Sequence, residues 1–261
     1  MWYKRETGSG RPLILLHGLG MSHAAWNPVT PLLSPARRVI AFDIAGFGRT
    51  PPLVDGIVPT VANLVDGLEQ SIQAMELERP VDIAGNSLGG YMALEAARRG
   101  LARTVVAISP AGLWRAHPPP HVKHVIASMR LMSKTFPRVV RGAMRFALLR
   151  ELLLSVPLSA GSRRMPVSDA RRAVADLAAS RACEATFEHT RAPFSCGCHI
   201  TVPITVAFGE RDWILPKGSW HRDRLPAHTR WLEPPGWGHV PMWVDPVGVA
   251  QLIIDGTSHG M

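Results

Sequence analysis

The stretch Val81-Asp82-Ile83-Ala84-Gly85-Asn86-Ser87-Leu88-Gly89-Gly90 decides how this chain is read. A short apolar run of strand character meets a helix-like run, and a serine stands at the join with glycine two residues to either side. G-x-S-x-G in that setting is a nucleophile elbow, a sharp strand-to-helix turn that lifts a serine hydroxyl above a sheet. The residues two before and two after the serine must be small, because side chains there would collide with the neighbouring strand and helix. Gly85 and Gly89 meet that demand, and Gly90 adds clearance.

Working outward, Pro12-Leu13-Ile14-Leu15-Leu16 reads as a buried strand running into His17-Gly18-Leu19-Gly20. Downstream, Val202 to Phe208 is a second such run, ending at Gly209-Glu210-Arg211-Asp212, and Trp231-Leu232 leads to Pro235-Gly236-Trp237-Gly238-His239. A glycine loop, a serine, an aspartate and a histidine therefore follow one another, each at the C-terminal end of an expected strand. That edge of an open α/β sheet is where ligands bind. With these four motifs in this order the chain resembles the α/β-hydrolase superfamily over most of its length, the middle from about 115 to 195 excepted.

Strands are expected near 2–6, 13–17, 38–43, 81–85, 103–109, 203–208 and 229–233. Helices are expected near 23–34, 60–76, 87–99, 216–223 and 241–255. Alternation of this kind implies right-handed crossovers and a mostly parallel open sheet with helices on both faces. A chain of 261 residues, 46% of them hydrophobic, suits one such α/β domain with an insertion. Pro118-Pro119-Pro120 marks where the insertion opens, since it continues neither helix nor strand. The division expected is 1–114 with 196–261 as the α/β-hydrolase core, and 115–195 as a helical cap.

The resemblance implies a serine hydrolase cleaving a carboxylic ester through an acyl-enzyme. Ser87 would attack, His239 would act as base and then acid, and Asp212 would orient the imidazole. The backbone N–H groups of Leu19 and Leu88 would meet the oxyanion. Glu210 and Asp245 compete with Asp212, but the family pattern Gly-x-x-Asp followed by an apolar segment and proline fits Gly209 to Pro216. Gly238 is expected to leave room for the imidazole. His17 reads as a structural residue of its loop, and His117, His121 and His124 as surface residues. Asp43, in Asp43-Ile44-Ala45-Gly46-Phe47-Gly48, is expected to bond its own turn.

A serine at the elbow points away from haloalkane dehalogenases and epoxide hydrolases, whose matching residue is aspartate. Carbon–carbon hydrolases of the meta-cleavage-product type and cofactor-free haloperoxidases or perhydrolases share the arrangement and stay open. So does a hydrolase-fold binding protein with little turnover. The pocket is expected to draw on Phe47, Trp114, Met132, Phe136, Met144, Trp213 and Met242, for an apolar acyl or alcohol group.

Cys196-Gly197-Cys198-His199 lacks both the spacing and the partner pair of a zinc site, so no metal is expected. No glycine-rich loop has nucleotide-binding spacing, so no cofactor is implied. From His117 to Arg164 there are nine basic residues against one acidic residue, Glu151, a net of +8 out of the chain's formal +9. No nucleic-acid-binding motif accompanies that charge. Two readings remain: a solvated basic face, or a cap meeting anionic membrane at its periphery. Without a signal-peptide-like start or an apolar run of membrane-spanning length, the expectation is a cytoplasmic protein.

Overall fold

The computed structural model describes residues 1–258. Among them, seven strands form one sheet in the order β1-β3-β2-β4-β5-β6-β7. They are β1 (Lys4–Thr7), β2 (Pro12–Leu16), β3 (Arg38–Phe42), β4 (Val81–Asn86), β5 (Ala102–Ile108), β6 (Ile204–Ala207) and β7 (Arg230–Leu232). All neighbours run parallel except β1, which lies antiparallel to β3 at one edge. Every expected strand is present, within two residues at either end.

Side chains alternate between two buried layers, which is why these strands are apolar without interruption. Leu13, Leu15, Val39, Ala41, Val106 and Ile108 face one core; Ile14, Leu16, Ile40, Phe42, Val105 and Ala107 face the other. The helices α2 (Val61–Gln73) and α3 (Leu88–Arg98) cover the second face, while α1 (Thr30–Leu33) and α9 (Pro246–Thr257) cover the first. Thr60 caps α2, its hydroxyl accepting from the Asn63 N–H at 3.2 Å.

Between β5 and β6 the chain forms five helices: α4 (Pro120–Thr135), α5 (Pro137–Ala143), α6 (Ala147–Leu154), α7 (Val167–Ala179) and α8 (Cys183–His189). The break between α4 and α5 falls at Phe136, whose φ/ψ of −124°/52° is non-helical, as expected just before Pro137. The helix expected at 23–34 is divided into a 3₁₀ turn at His23–Trp26 and the single turn of α1, and one expected helix is absent. Residues 216–223 form turns followed by a single 3₁₀ turn at Arg222–Arg224. Gly218 takes a φ of +94°, and the Trp220 ring is stacked between Phe208 and Trp231 at 4.4 and 5.6 Å. An aromatic sandwich, not a helix, closes that corner of the sheet.

The chain goes from β2 to one side of the sheet and returns to β4 on the other, so the strand order switches between them. A crevice opens at such a point beyond the carboxyl ends of the strands. At the elbow beside it, a Cβ placed on Gly89 would overlap the carbonyl of Leu16, and one on Gly85 the carbonyl of Gly89. Gly142, on the surface of α5, has nothing near an added Cβ. Gly89→Ala is therefore expected to destabilise by about 3 kcal/mol or to prevent folding. Gly142→Ala should stabilise by about 0.5–1 kcal/mol. Urea titration of the two variants tests the contrast; equal effects would remove the steric account of the elbow.

Candidate active site

Ser87 links β4 to α3 with φ/ψ of 53°/−112°, a conformation that L residues rarely adopt and that costs about 1–3 kcal/mol. Two hydrogen bonds hold it there: the Ser87 N–H donates to the Ile108 carbonyl at 2.9 Å, and the Ser87 carbonyl accepts from Ala111 N–H at 3.0 Å. The hydroxyl is consequently carried out of the strand, at the N-terminus of α3, on the wall of a cavity.

His239 opens on the same cavity. Its Nδ1 lies 2.9 Å from Asp212 Oδ2 and 3.1 Å from Oδ1, both residues being buried. Asp212 Oδ1 also accepts from the N–H groups of Ile214 and Leu215 at 2.9 and 2.8 Å. Burial alone would raise the Asp212 pKa; the facing histidine and the Leu215 amide outweigh it and leave the carboxyl below its usual range. An ionised Asp212 leaves Nδ1 of His239 as the donor, so Nε2 is the nitrogen free to accept a proton.

Sequence reasoning assigned no role to Asn86. Its Nδ2 donates to the His239 carbonyl at 2.8 Å and to that of Ile108 at 3.1 Å, tying the histidine's backbone to the elbow. The available signal was a lone amide at the end of an otherwise apolar run, next to the serine. Gly238 has a second reason beside the one expected. A Cβ there would strike the backbone of Leu158 and Ser159 between α6 and α7, so the glycine serves the approach of the helical layer. That approach is bonded: Val240 N–H donates to Leu158 O at 2.9 Å, and Ser159 Oγ donates to Val240 O at 3.0 Å.

The loop after β2 is fixed from beneath. His17 is fully buried, its Nε2 accepting from Ile44 N–H at 3.0 Å and its Nδ1 donating to Gly18 O at 2.7 Å. Burial pushes its pKa down to about 4, so it stays neutral in the tautomer these bonds require. Asp43 accepts from Arg49 N–H at 2.8 Å within its own turn, and also from the N–H and ring of His23. Above this support the N–H groups of Leu19 and Leu88 belong to residues lining the cavity, and neither has an acceptor among the described residues.

The cavity measures about 1090 Å³, the open solvent at its mouth included. Apart from Asn86, Ser87, Thr190, Arg191 and His239 its walls are largely apolar, and much of them comes from the helices between β5 and β6. Of the seven residues expected to line it, Trp114 does, its Nε1 donating to Arg191 O at 2.9 Å. The others do not. Phe47 is buried edge-on against the His17 ring, with centroids 5.8 Å apart. Met144 and Met242 are buried in the core on the α9 side of the sheet. Met132 and Phe136 project to solvent, because Val122, Ile126 and Met129 already supply the inward face of α4. Trp213 turns outward beside the inward Asp212, and its carbonyl faces the exposed His121 ring at 2.9 Å. Leu177 of α7, Phe187 of α8 and Ile214 line the cavity instead. Among the described residues no three side chains form a metal-binding group, and no helix is long and apolar enough to cross a membrane.

A model of the alpha/beta hydrolase family matches residues 13–252. Epoxide hydrolase EphH of Mycobacterium tuberculosis is 32% identical over 204 residues, covering 74% of this chain and 92% of that protein. 2-Hydroxy-6-oxo-2,4-heptadienoate hydrolase of Pseudomonas putida is 43% identical over 97 residues, covering 36% of this chain and 34% of that one. Among solved structures, carboxylesterase CesB of Bacillus subtilis superposes with a TM-score of 0.74 at 21% identity, covering 99% of this chain and 88% of that one. A meta-cleavage product hydrolase of Pseudomonas fluorescens superposes with a TM-score of 0.73 at 20% identity, covering 99% and 94%. At these identities the two structures speak for the fold.

The buried His17 makes stability depend on pH. The unfolded chain takes up its proton near pH 6.5, whereas the folded site resists until about 4. The stabilisation from a neutral His17 is therefore present above the upper value and lost as pH falls toward the lower. Between about pH 7.5 and 5 that amounts to about 2 kcal/mol. Urea unfolding at the two pH values should show this loss, and His17→Asn, though less stable at neutral pH, should show less of it. An equal loss in both proteins would assign the effect to other groups.

Proposed function

This chain belongs to the alpha/beta hydrolase family, and we propose that within it the protein is a serine hydrolase cleaving carboxylic esters with an apolar acyl or alcohol group. The observation that carries the reading is the placement of Ser87 and His239 on one cavity wall, with Asp212 bonded to the far side of the imidazole.

A serine hydroxyl near neutral pH is a weak nucleophile until a base takes its proton as it attacks. Nε2 of His239 is the nitrogen left free for that task, and the imidazolium formed is stabilised by the adjacent Asp212 carboxylate. Attack of Ser87 Oγ on the ester carbon turns the carbonyl oxygen into an oxyanion. The unengaged N–H groups of Leu19 and Leu88 are the donors proposed for it, one such donor being worth about 3–4 kcal/mol. His239 then returns the proton to the departing alcohol. Water, deprotonated by the same imidazole, breaks the acyl-enzyme and frees Ser87.

Epoxide opening, the activity in the name of the Mycobacterium relative, does not suit a serine. Attack by an alkoxide on an epoxide carbon would leave a stable ether, whereas a carboxylate leaves an ester that water can cleave. Carbon–carbon hydrolysis of an acidic dienoate is the second reading, favoured by the elbow Gly85-Asn86-Ser87-Leu88-Gly89-Gly90 and by the name of the Pseudomonas putida relative. Against it stands the cavity wall. Arg191 is its one Lys or Arg among the described residues, and that guanidinium is already paired with Glu188 at 3.0 Å. The apolar remainder suits a neutral substrate.

Release of p-nitrophenol from acyl esters of increasing chain length tests this. Turnover is expected, with kcat lowered about 10⁴-fold or more in Ser87→Ala and about 10⁴-fold in Asp212→Asn. Activity that survives Ser87→Ala would overturn the mechanism. Hydrolysis of a ring-fission dienoate by protein inert to every ester would establish the second reading.

A further inference from the structure

The helix α6 is built inside out for a helix in water. Leu148 and Leu152 are 78% and 72% exposed, while Arg150 between them is 8% exposed. The guanidinium of Arg150 points inward and donates to the carbonyls of Met144 and Arg163 at 2.7 and 2.8 Å. The arrangement spends a buried guanidinium on holding the α5–α6 connection, and leaves Leu148 and Leu152 outside while Leu154 is turned inward. The neighbouring helices continue the pattern, with Leu131, Phe136, Val139 and Phe146 all exposed. So many large apolar side chains exposed within residues 131–152 are more than the scattered single ones a monomer carries, and surfaces of that kind meet something.

Charge identifies what that is. Lys134, Arg138, Arg141, Arg145, Arg163 and Arg164 are exposed on the same stretch, and no described carboxylate pairs with any of them. Glu151, the single acid from residue 131 to 164, is occupied: its carboxylate accepts from the N–H groups of Gly161 and Arg163 at 2.7 and 2.8 Å. A second copy of this chain would set this face against itself in a two-fold interface, cation against cation. Nucleic acid would meet the arginines but give no place to the leucines and phenylalanines between them. A bilayer with anionic headgroups satisfies both, the apolar side chains entering the acyl boundary and the basic ones staying at the phosphates.

We propose that the outer face formed by the C-terminal part of α4, by α5 and by α6 docks on an anionic phospholipid surface. The helices that dock are also those that wall the cavity from within, through Ile126 and Met129 of α4 and Leu154 of α6. Docking is a property of the outer face and stands independently of the chemistry at Ser87. If the ester reading also holds, the bilayer is the reservoir from which a lipophilic ester enters.

Co-sedimentation with two kinds of vesicle tests the proposal: phosphatidylcholine alone, and phosphatidylcholine with phosphatidylglycerol at about three to one. At low salt the protein should pellet with the mixed vesicles and not with the neutral ones. Binding should fall steeply toward 1 M salt, where the screening length is about 3 Å. Leu148→Asp with Leu152→Asp, and separately Arg138→Gln with Arg141→Gln and Arg145→Gln, should each lower partitioning about tenfold or more. Thermal melting shows whether each variant is folded, and the arginine set, all on exposed positions, decides the matter if the leucine pair is not. No binding to mixed vesicles, equal binding to both kinds, or folded variants that bind as the parent does would each overturn the proposal. So would self-association that the leucine variants abolish in a protein that ignores vesicles, since the occupant would then be a second copy.

Discussion

Turning a chain from a strand into a helix within one residue requires that the strand, the helix and the next strand approach to backbone contact. Around Ser87 that approach is closed on both sides: the space beside Gly85 is filled by Gly89, and the space beside Gly89 by the Leu16 carbonyl at the end of β2. The rest of the molecule follows from this crowding. It draws the C-terminal end of β2 against the N-terminus of α3, and so sets the Leu19 and Leu88 amides on one cavity. The strain at Ser87 is sustained because both its amide and its carbonyl are bonded to the β5 end of the sheet. Asn86, one residue earlier, carries the same rigidity across to His239.

Beneath the site, charge is handled in two ways. His17 is kept neutral, its ring nitrogens used as a spacer between the Gly18 carbonyl and the Ile44 amide. Asp43 and Asp212 are kept charged, each meeting backbone N–H groups and a histidine ring. Burial opposes the ionised form of both acids, and the donors around them outweigh it. The result is a polar layer that needs little from solvent under a cavity that is mostly apolar, which is the contrast a preorganised site requires.

Much of this was legible in the residues. The seven strands could be placed because both faces of the sheet are buried, which writes each one as an unbroken apolar run. The candidates Ser87, Asp212 and His239 stand out because each sits in a short local pattern at a strand end. The cavity wall could not be read the same way. Which side of α4 or α6 faces inward depends on contacts between elements far apart in sequence, and the arginines misled the eye: Arg130 and Arg150 are buried, with backbone carbonyls as partners, while Met132 and Phe136 lie outside. A pattern of hydrophobic inside and charged outside therefore selects the wrong face. The helix expected at 216–223 failed for a related reason, since Trp220 is held by Phe208 and Trp231 rather than by a helix of its own.

The two hydrogen bonds between the Leu158–Ser159 segment and Val240, and the bare backbone of Gly238 beside them, have a consequence for recombination. The helical layer between β5 and β6 is not a detachable hood; one of its own peptide groups is part of the scaffold that fixes the residue after His239. A chimera that takes this layer from another protein of the fold must therefore carry matching backbone at 157–160, or it inherits a loosened histidine. The solvent-facing positions of α5 and α6 carry no such obligation to the histidine; whatever binds them acts on the outer face and leaves the join at Val240 as it is.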